Sequence, residues 1–228
     1  MIKENILKVN ERIRTICAMI NRAPSSITVV AVAKGRSVQE AKEAINAGIT
    51  DIGENRVQEA ILKYKELKTA GYKLRNHMVG HLQTNKVKDA VRIFDLIHSV
   101  DSLRLAQAID KEAAKIGKVQ DILIEVKTSP EATKFGVPYE GVFGFIKEVS
   151  QLKNITIRGL MTIAPLTDNP QKARPYFKKL RELKDEINGL RITNCNLQIL
   201  SMGMTDDFEV AIEEGADMLR LGRVIFGG

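Results

Sequence analysis

The feature that most constrains this chain is an even alternation of short apolar runs with amphipathic stretches, sustained from residue 28 to the C-terminus. The apolar runs predict strands over 28–34, 50–53, 77–79, 96–99, 122–127, 155–160, 197–201 and 218–221. Several are apolar almost throughout, the pattern of strands covered on both faces in a parallel sheet. Between them the spacing predicts helices over 38–47, 57–68, 82–91, 102–116, 139–152, 173–187 and 207–214. In the second of these Val57, Ala60, Ile61 and Tyr64 form one apolar stripe, and Gly48 is suited to end the first. An opening helix over 2–20 carries Ile6, Val9, Ile13, Ile16 and Ile20 at helical spacing before the first strand. Eight strand–helix alternations suit a single (β/α)8 TIM barrel with an extra N-terminal helix, spanning residues 1–228 as one domain. A doubly wound open sheet is the alternative on pattern alone.

Composition removes several classes of function. A net charge of +7 and a pI near 9.4 raise the question of nucleic acid. Lys63-Tyr64-Lys65, Lys86-Val87-Lys88 and Lys178-Lys179 are each interleaved with acids, however, as on solvated helix faces. With 5% aromatic residues and no Trp, a stacking platform for single strands is unsupported, so no nucleic-acid partner is expected. No apolar run approaches the roughly 20 residues that span a bilayer, and the opening Met1-Ile2-Lys3-Glu4-Asn5 carries no apolar signal region. Cys17 and Cys195 sit in no paired motif; they read as buried small hydrophobes in a reducing compartment, and a cytoplasmic monomer is expected. His77 and His81 are four apart, but across an expected strand-to-helix turn, and no acid or Cys cluster completes a ligand set. No metal is expected, and His77 reads as a hydrogen-bonded core residue.

In a barrel of this kind the chemistry belongs at the C-terminal ends of the strands. The first strand ends in Lys34, where a low-dielectric mouth would favour the neutral, nucleophilic amine; the bland alternative is a lysine snorkelling at a strand end. The seventh strand leads into Ser201-Met202-Gly203-Met204-Thr205-Asp206-Asp207 and the eighth into Leu219-Arg220-Leu221-Gly222-Arg223. Loops in those two positions form the recurrent phosphate site of the architecture, although two glycine turns with ordinary caps would read the same way. An imine-forming lysine and a phosphate cradle on one rim suggest a phosphorylated aldehyde, of which pyridoxal 5′-phosphate (PLP) is the common one.

Longer motifs carry a resemblance. They are Ala31-Val32-Ala33-Lys34, Ile52-Gly53-Glu54-Asn55-Arg56-Val57-Gln58-Glu59, the stretch from His77 through Gly80-His81-Leu82-Gln83 to Lys86, His98-Ser99-Val100-Asp101, Lys134-Phe135-Gly136, Arg158-Gly159-Leu160-Met161, the Ser201–Phe208 stretch and the closing Arg220-Leu221-Gly222 and Ile225-Phe226-Gly227. With these the chain resembles the pyridoxal phosphate homeostasis proteins, whose fold is similar to the N-terminal barrel of bacterial alanine racemases. The resemblance implies a cytoplasmic PLP carrier that holds the cofactor as an imine on Lys34, with Asn55 beside the ring. It implies further that Ser201, Gly203 and Gly222 hold the phosphate, that Arg220 faces the pyridine nitrogen, and that Met202 and the His81 region line the pocket. Two positions depart from the family pattern. Arg223 stands where a small hydroxyl residue is common and either reaches the phosphate or points away; Lys127 stands where an Asn is common and adds a second amine near the rim.

The resemblance also bears on turnover. PLP enzymes of the electron-sink type keep the pyridine nitrogen protonated, which an arginine there discourages. Racemases that share the arginine add a tyrosine base from a separate β-domain, whereas Tyr64, Tyr72, Tyr139 and Tyr176 fall in expected helices or loops and the chain stops seven residues after Leu221. Binding, buffering and delivery of PLP to recipient apoenzymes is therefore expected, without catalytic residues. A racemase-like PLP enzyme with Lys34 as base, and an imine-forming enzyme of sugar phosphates, remain the alternatives.

Overall fold

The structure, a computed structural model, describes residues 1–130, 135–190, 192 and 196–227. Lys134 and Cys195, both named above, lie outside the described residues. The strands are β1 (Thr28–Val32), β2 (Asp51–Glu54), β3 (Arg75–Met78), β4 (Leu96–Val100), β5 (Gln120–Lys127), a two-residue β6 (Val137–Pro138), β7 (Ile155–Met161), β8 (Ile199–Ser201) and β9 (Met218–Leu221). Every pairing is parallel. β1 pairs with both β2 and β9 and β4 pairs with β5, so the sheet closes into an eight-stranded barrel, with β6 appended to the far end of β5. Closure excludes the open doubly wound sheet.

Around it lie α1 (Ile2–Met19), α2 (Val38–Asn46), α3 (Val57–Thr69), α4 (Val87–Ile93), α5 (Leu103–Lys115), α6 (Val142–Val149), α7 (Arg174–Gly189), α8 (Phe208–Glu213) and α9 (Arg223–Phe226). The strands read apolar throughout because both faces are covered. Val30, Leu96, Leu123, Met161 and Met218 form a cluster of their own inside the barrel. Their neighbours Ala31, Ile52, Ile97, Ile122, Leu160 and Leu219 point the other way, into the main core beneath the helices. The interior is tight enough that a Cβ on Gly53 would meet Val30 Cγ1 at 2.9 Å. The extra helix α1 buries Ile2, Ile6, Val9, Ile13 and Cys17 and packs across α2, α8 and α9; Ile20, expected on its stripe, falls beyond the helix end and is exposed.

Two local devices fix the ends of α2. Ser37 and Glu40 form a reciprocal capping box at the start of α2, immediately after the turn that carries Lys34. Gly48, with φ of +102°, ends the same helix in a conformation that suits glycine. The strand expected over 28–34 stops at Val32, because the chain turns through Lys34 and Gly35 (φ +67°) toward that cap.

Candidate cofactor-binding site

Lys34 stands on the turn just past β1, and its side chain is exposed. The low-dielectric setting expected of a lysine at a barrel mouth is therefore not what surrounds it here; ending the strand two residues early lifts it to the rim. The turn is pinned from below. Lys63, on α3 and buried, donates to Ala33 O at 2.5 Å and forms a short ion pair with the wholly buried Glu54. Gly35 N–H reaches Glu59 Oε2 at 3.4 Å. A lysine free to move thus sits on a backbone that is fixed.

Across the mouth, Arg220 on β9 is buried, donating Nη1–H to Ser201 Oγ at 2.7 Å and Nη2–H to Thr162 O at 2.8 Å. Burial pushes its guanidinium down to about 10, with Glu125 and Asp207 opposing the shift, so it remains a cation at neutral pH. Ser201 has no exposed surface, and His98 lies 3.0 Å away on its other side. Its hydroxyl is occupied inside the barrel, not presented to an anion on the rim. Met202 is also wholly buried, packed into the core beneath the helices, and only its backbone lies along the loop. Gly203 adopts φ of +92°, and its carbonyl accepts Arg220 N–H at 3.0 Å; a Cβ there would lie 2.6 Å from Ala211 Cβ. At Gly222 a Cβ would lie 3.5 Å from Val32 O, so β1 and β9 run close at the rim.

Thr205, part of the Ser201–Asp207 stretch, carries a hydroxyl on the loop after β8. Its Oγ1 accepts Val224 N–H at 3.4 Å, bridging the loop after β8 to α9 and leaving its own hydrogen to donate. A hydroxyl residue thus lies on the loop after β8, close to the start of α9 where Arg223 stands. Arg223, the alternative, is exposed and pairs with Asp206 at 2.5 Å.

On the β2–β5 side, Asn55 follows β2 and its Oδ1 is buried without a hydrogen-bond partner. Gly80 presses on it: a Cβ on Gly80 would lie 2.5 Å from Asn55 O, and Ser99 Oγ holds Gly80 O at 2.6 Å. His81 lies 3.6 Å from Asp101 and stacks on the Phe135 ring at 3.7 Å. Glu125, buried on β5, is a further ionisable group of the site. Burial and the nearby Asp101 carboxylate push it up to about 7, against the pull of Arg220 and Lys127. No motif would have singled it out, since its perturbation depends on which strands face each other across the barrel. Among the described residues no cluster of three His, Cys, Asp or Glu side chains is placed to hold a metal ion, and no helix is long and apolar enough to cross a membrane.

The closed parallel barrel, a rim lysine and a buried arginine opposite define a barrel of the alanine racemase N-terminal type, and the model of that domain family matches residues 5–228. Within that class, the chain belongs to the pyridoxal phosphate homeostasis protein family. It is 44% identical over 224 residues to the protein of that name from Aquifex aeolicus, covering 98% of this chain and 96% of the relative. It is 33% identical to the Escherichia coli K12 protein of the same name, covering 99% and 96%. The solved structure of PipY from Synechococcus elongatus with PLP bound superposes with a TM-score of 0.86 at 35% identity, covering both chains fully (100% each). An alanine racemase from Corynebacterium glutamicum, 13% identical with a TM-score of 0.75 over 61% of its length, shares the fold.

Proposed function

We propose that this chain binds PLP covalently at Lys34 and buffers and delivers it inside the cell, with little or no turnover of its own. The observation that carries the reading is the unpartnered, buried Oδ1 of Asn55 on the same rim as the buried Arg220 cation and the free Lys34 amine. A buried acceptor without a donor is costly, and a ligand that donates a hydrogen bond to it removes that cost. The relatives' shared name and the PLP-bound PipY structure support the same ligand.

PLP supplies an aldehyde for an amine and a phosphate dianion that must be gripped. Lys34 provides the amine, on a backbone held by Lys63 and the Ser37 cap. Arg220 faces the ring nitrogen as a fixed cation. Thr205 Oγ1, together with the backbone at Gly203 and Gly222, grips the phosphate, and Asn55 and His81 flank the ring. A permanent cation at the ring nitrogen opposes its protonation, which is why we assign a carrier and not a catalyst. The monomeric chain acts as one unit, without nucleic-acid or membrane partners, and its partners are apoenzymes that take up PLP.

A transfer assay tests this. Loaded protein, freed of excess PLP and mixed with an unrelated apoenzyme that requires it, should restore that enzyme's activity while racemising no amino acid itself. Turnover of an amino acid at rates ordinary for PLP enzymes would sink the carrier reading.

A further inference from the structure

Five buried side chains from five strands form one unbroken hydrogen-bonded chain through the inside of the barrel. Asp51 comes from β2, His77 from β3, His98 from β4, Ser201 from β8 and Arg220 from β9. His77 Nε2 lies 2.8 Å from Asp51 Oδ1, and His77 Nδ1 lies 3.0 Å from His98 Nε2. His98 Nδ1 lies 3.0 Å from Ser201 Oγ, which accepts from Arg220 Nη1 at 2.7 Å. Neither imidazole has any exposed surface.

The hydrogens in this chain can be counted. A guanidinium only donates and a carboxylate only accepts. Burial raises the Asp51 carboxyl, but the hydrogen bonds from His77 and from Thr50 Oγ1 (2.6 Å) outweigh it and hold the group below its usual range, so this end is an acceptor. Burial first, with the cationic neighbours Arg220 and Arg75 adding to it, holds His98 well below its usual value, so it carries a single N–H. Given a single N–H on His77 as well, the condition that the histidine spectra below test, four bonds have four hydrogens and only one direction is open. Arg220 donates to Ser201, Ser201 to His98 Nδ1, His98 Nε2–H to His77, and His77 Nε2–H to Asp51.

Resting on the cofactor reading above, we infer that Asp51, His77 and His98 are positioning residues for bound PLP. They act through Ser201 to fix the Arg220 guanidinium opposite the ring. One-way chains of hydrogen bonds polarise each successive member, so the Asp51 charge is felt across the barrel at the far end. The second Arg220 anchor, Thr162 O, prevents the guanidinium from rotating about the first. The chain also explains why Ser201 has no hydrogen left for a phosphate.

The wild-type protein without cofactor gives the first test. Nitrogen-15 spectra of labelled histidine should show His77 and His98 each as the neutral Nε2–H tautomer at neutral pH. An imidazolium, or an Nδ1–H tautomer on either ring, overturns the assignment. The second test uses Asp51→Asn loaded with PLP. We expect its PLP affinity to fall roughly tenfold, mid-range for coupling within one hydrogen-bonded network, and the absorption band of the bound cofactor to shift, while borohydride still captures the cofactor on Lys34. If that variant does not fold, His77→Gln carries the same expectation. A folded variant that keeps wild-type affinity and band refutes the positioning role and leaves binding at Lys34 standing. Wild-type protein that takes up no PLP refutes the proposed function and this role together.

Discussion

A carboxyl group shut inside a barrel is pushed toward its neutral form first by burial and next by a neighbouring carboxylate, and Glu125, with Asp101 nearby, is in that position. Its folded value of about 7 lies above its usual 4.5, so the folded state holds a proton that the unfolded chain has released between those values. Stability contributed by this group is complete below about pH 4.5 and is lost as pH rises through about 7. Glu125→Gln should therefore flatten the decline, and above pH 7 the variant should exceed wild type by up to about 3 kcal/mol, from a shift of some 2.5 units at 1.36 kcal/mol each. Urea melts at about pH 5 and about pH 8 read the difference, and parallel pH dependence in the two proteins would count against it. The two hydroxyls of the β8 loop separate in the same way. Thr205→Val should cost about tenfold in PLP affinity, equivalent to one lost hydrogen bond of roughly 1.4 kcal/mol, with little change in the melt of the unloaded protein. Ser201→Ala should weaken PLP binding as well, because it cuts the link that fixes Arg220, but it should also lower the stability of the unloaded protein. It strips partners from buried Arg220 and His98, and the unloaded protein should lose about 1–3 kcal/mol in the same melts.

At the scale of elements, the site depends on loops held rigid by their neighbours. Gly80, after β3, has no room for a Cβ against Asn55, after β2, so Gly80→Ala must push the two loops apart. Overpacking of this kind costs about 1–3 kcal/mol; a thermal melt should show it, and a titration should show weakened PLP binding because Asn55 moves with the loop. Unchanged PLP affinity would mean that Asn55 has no place beside the ring. The elements themselves were largely legible in the sequence, since buried parallel strands announce themselves as unbroken apolar runs and their helices as 3.6-residue stripes. Their ends were less so. An apolar pattern says where a strand is covered, not where its backbone turns, and the positive φ of Gly35 takes Lys34 out of the strand that its neighbours seemed to extend.

At the scale of the whole molecule, barrel closure creates what no local pattern contains. Asp51, His77, His98, Ser201 and Arg220 are spread over 170 positions, and only the pairing of β9 with β1 and of β4 with β5 brings them into one line. The motifs around Lys34, Asn55, Arg220 and Gly222 could be recognised one by one, because each occupies a strand end that the architecture directs to one rim. Which hydroxyl is buried in the barrel and which lies on the loop, Ser201 or Thr205, depends on where β8 ends, and no local pattern marks that end. The central claim, that the Lys34 amine is the point of attachment for PLP, has a direct measurement. Protein incubated with PLP, reduced with borohydride and digested should yield one dominant modified peptide, bearing a reduced pyridoxyl phosphate on Lys34, and Lys34→Ala should yield none. Principal modification at Lys127 or another lysine, or an unmodified Lys34 in protein that has taken up PLP, would contradict the account.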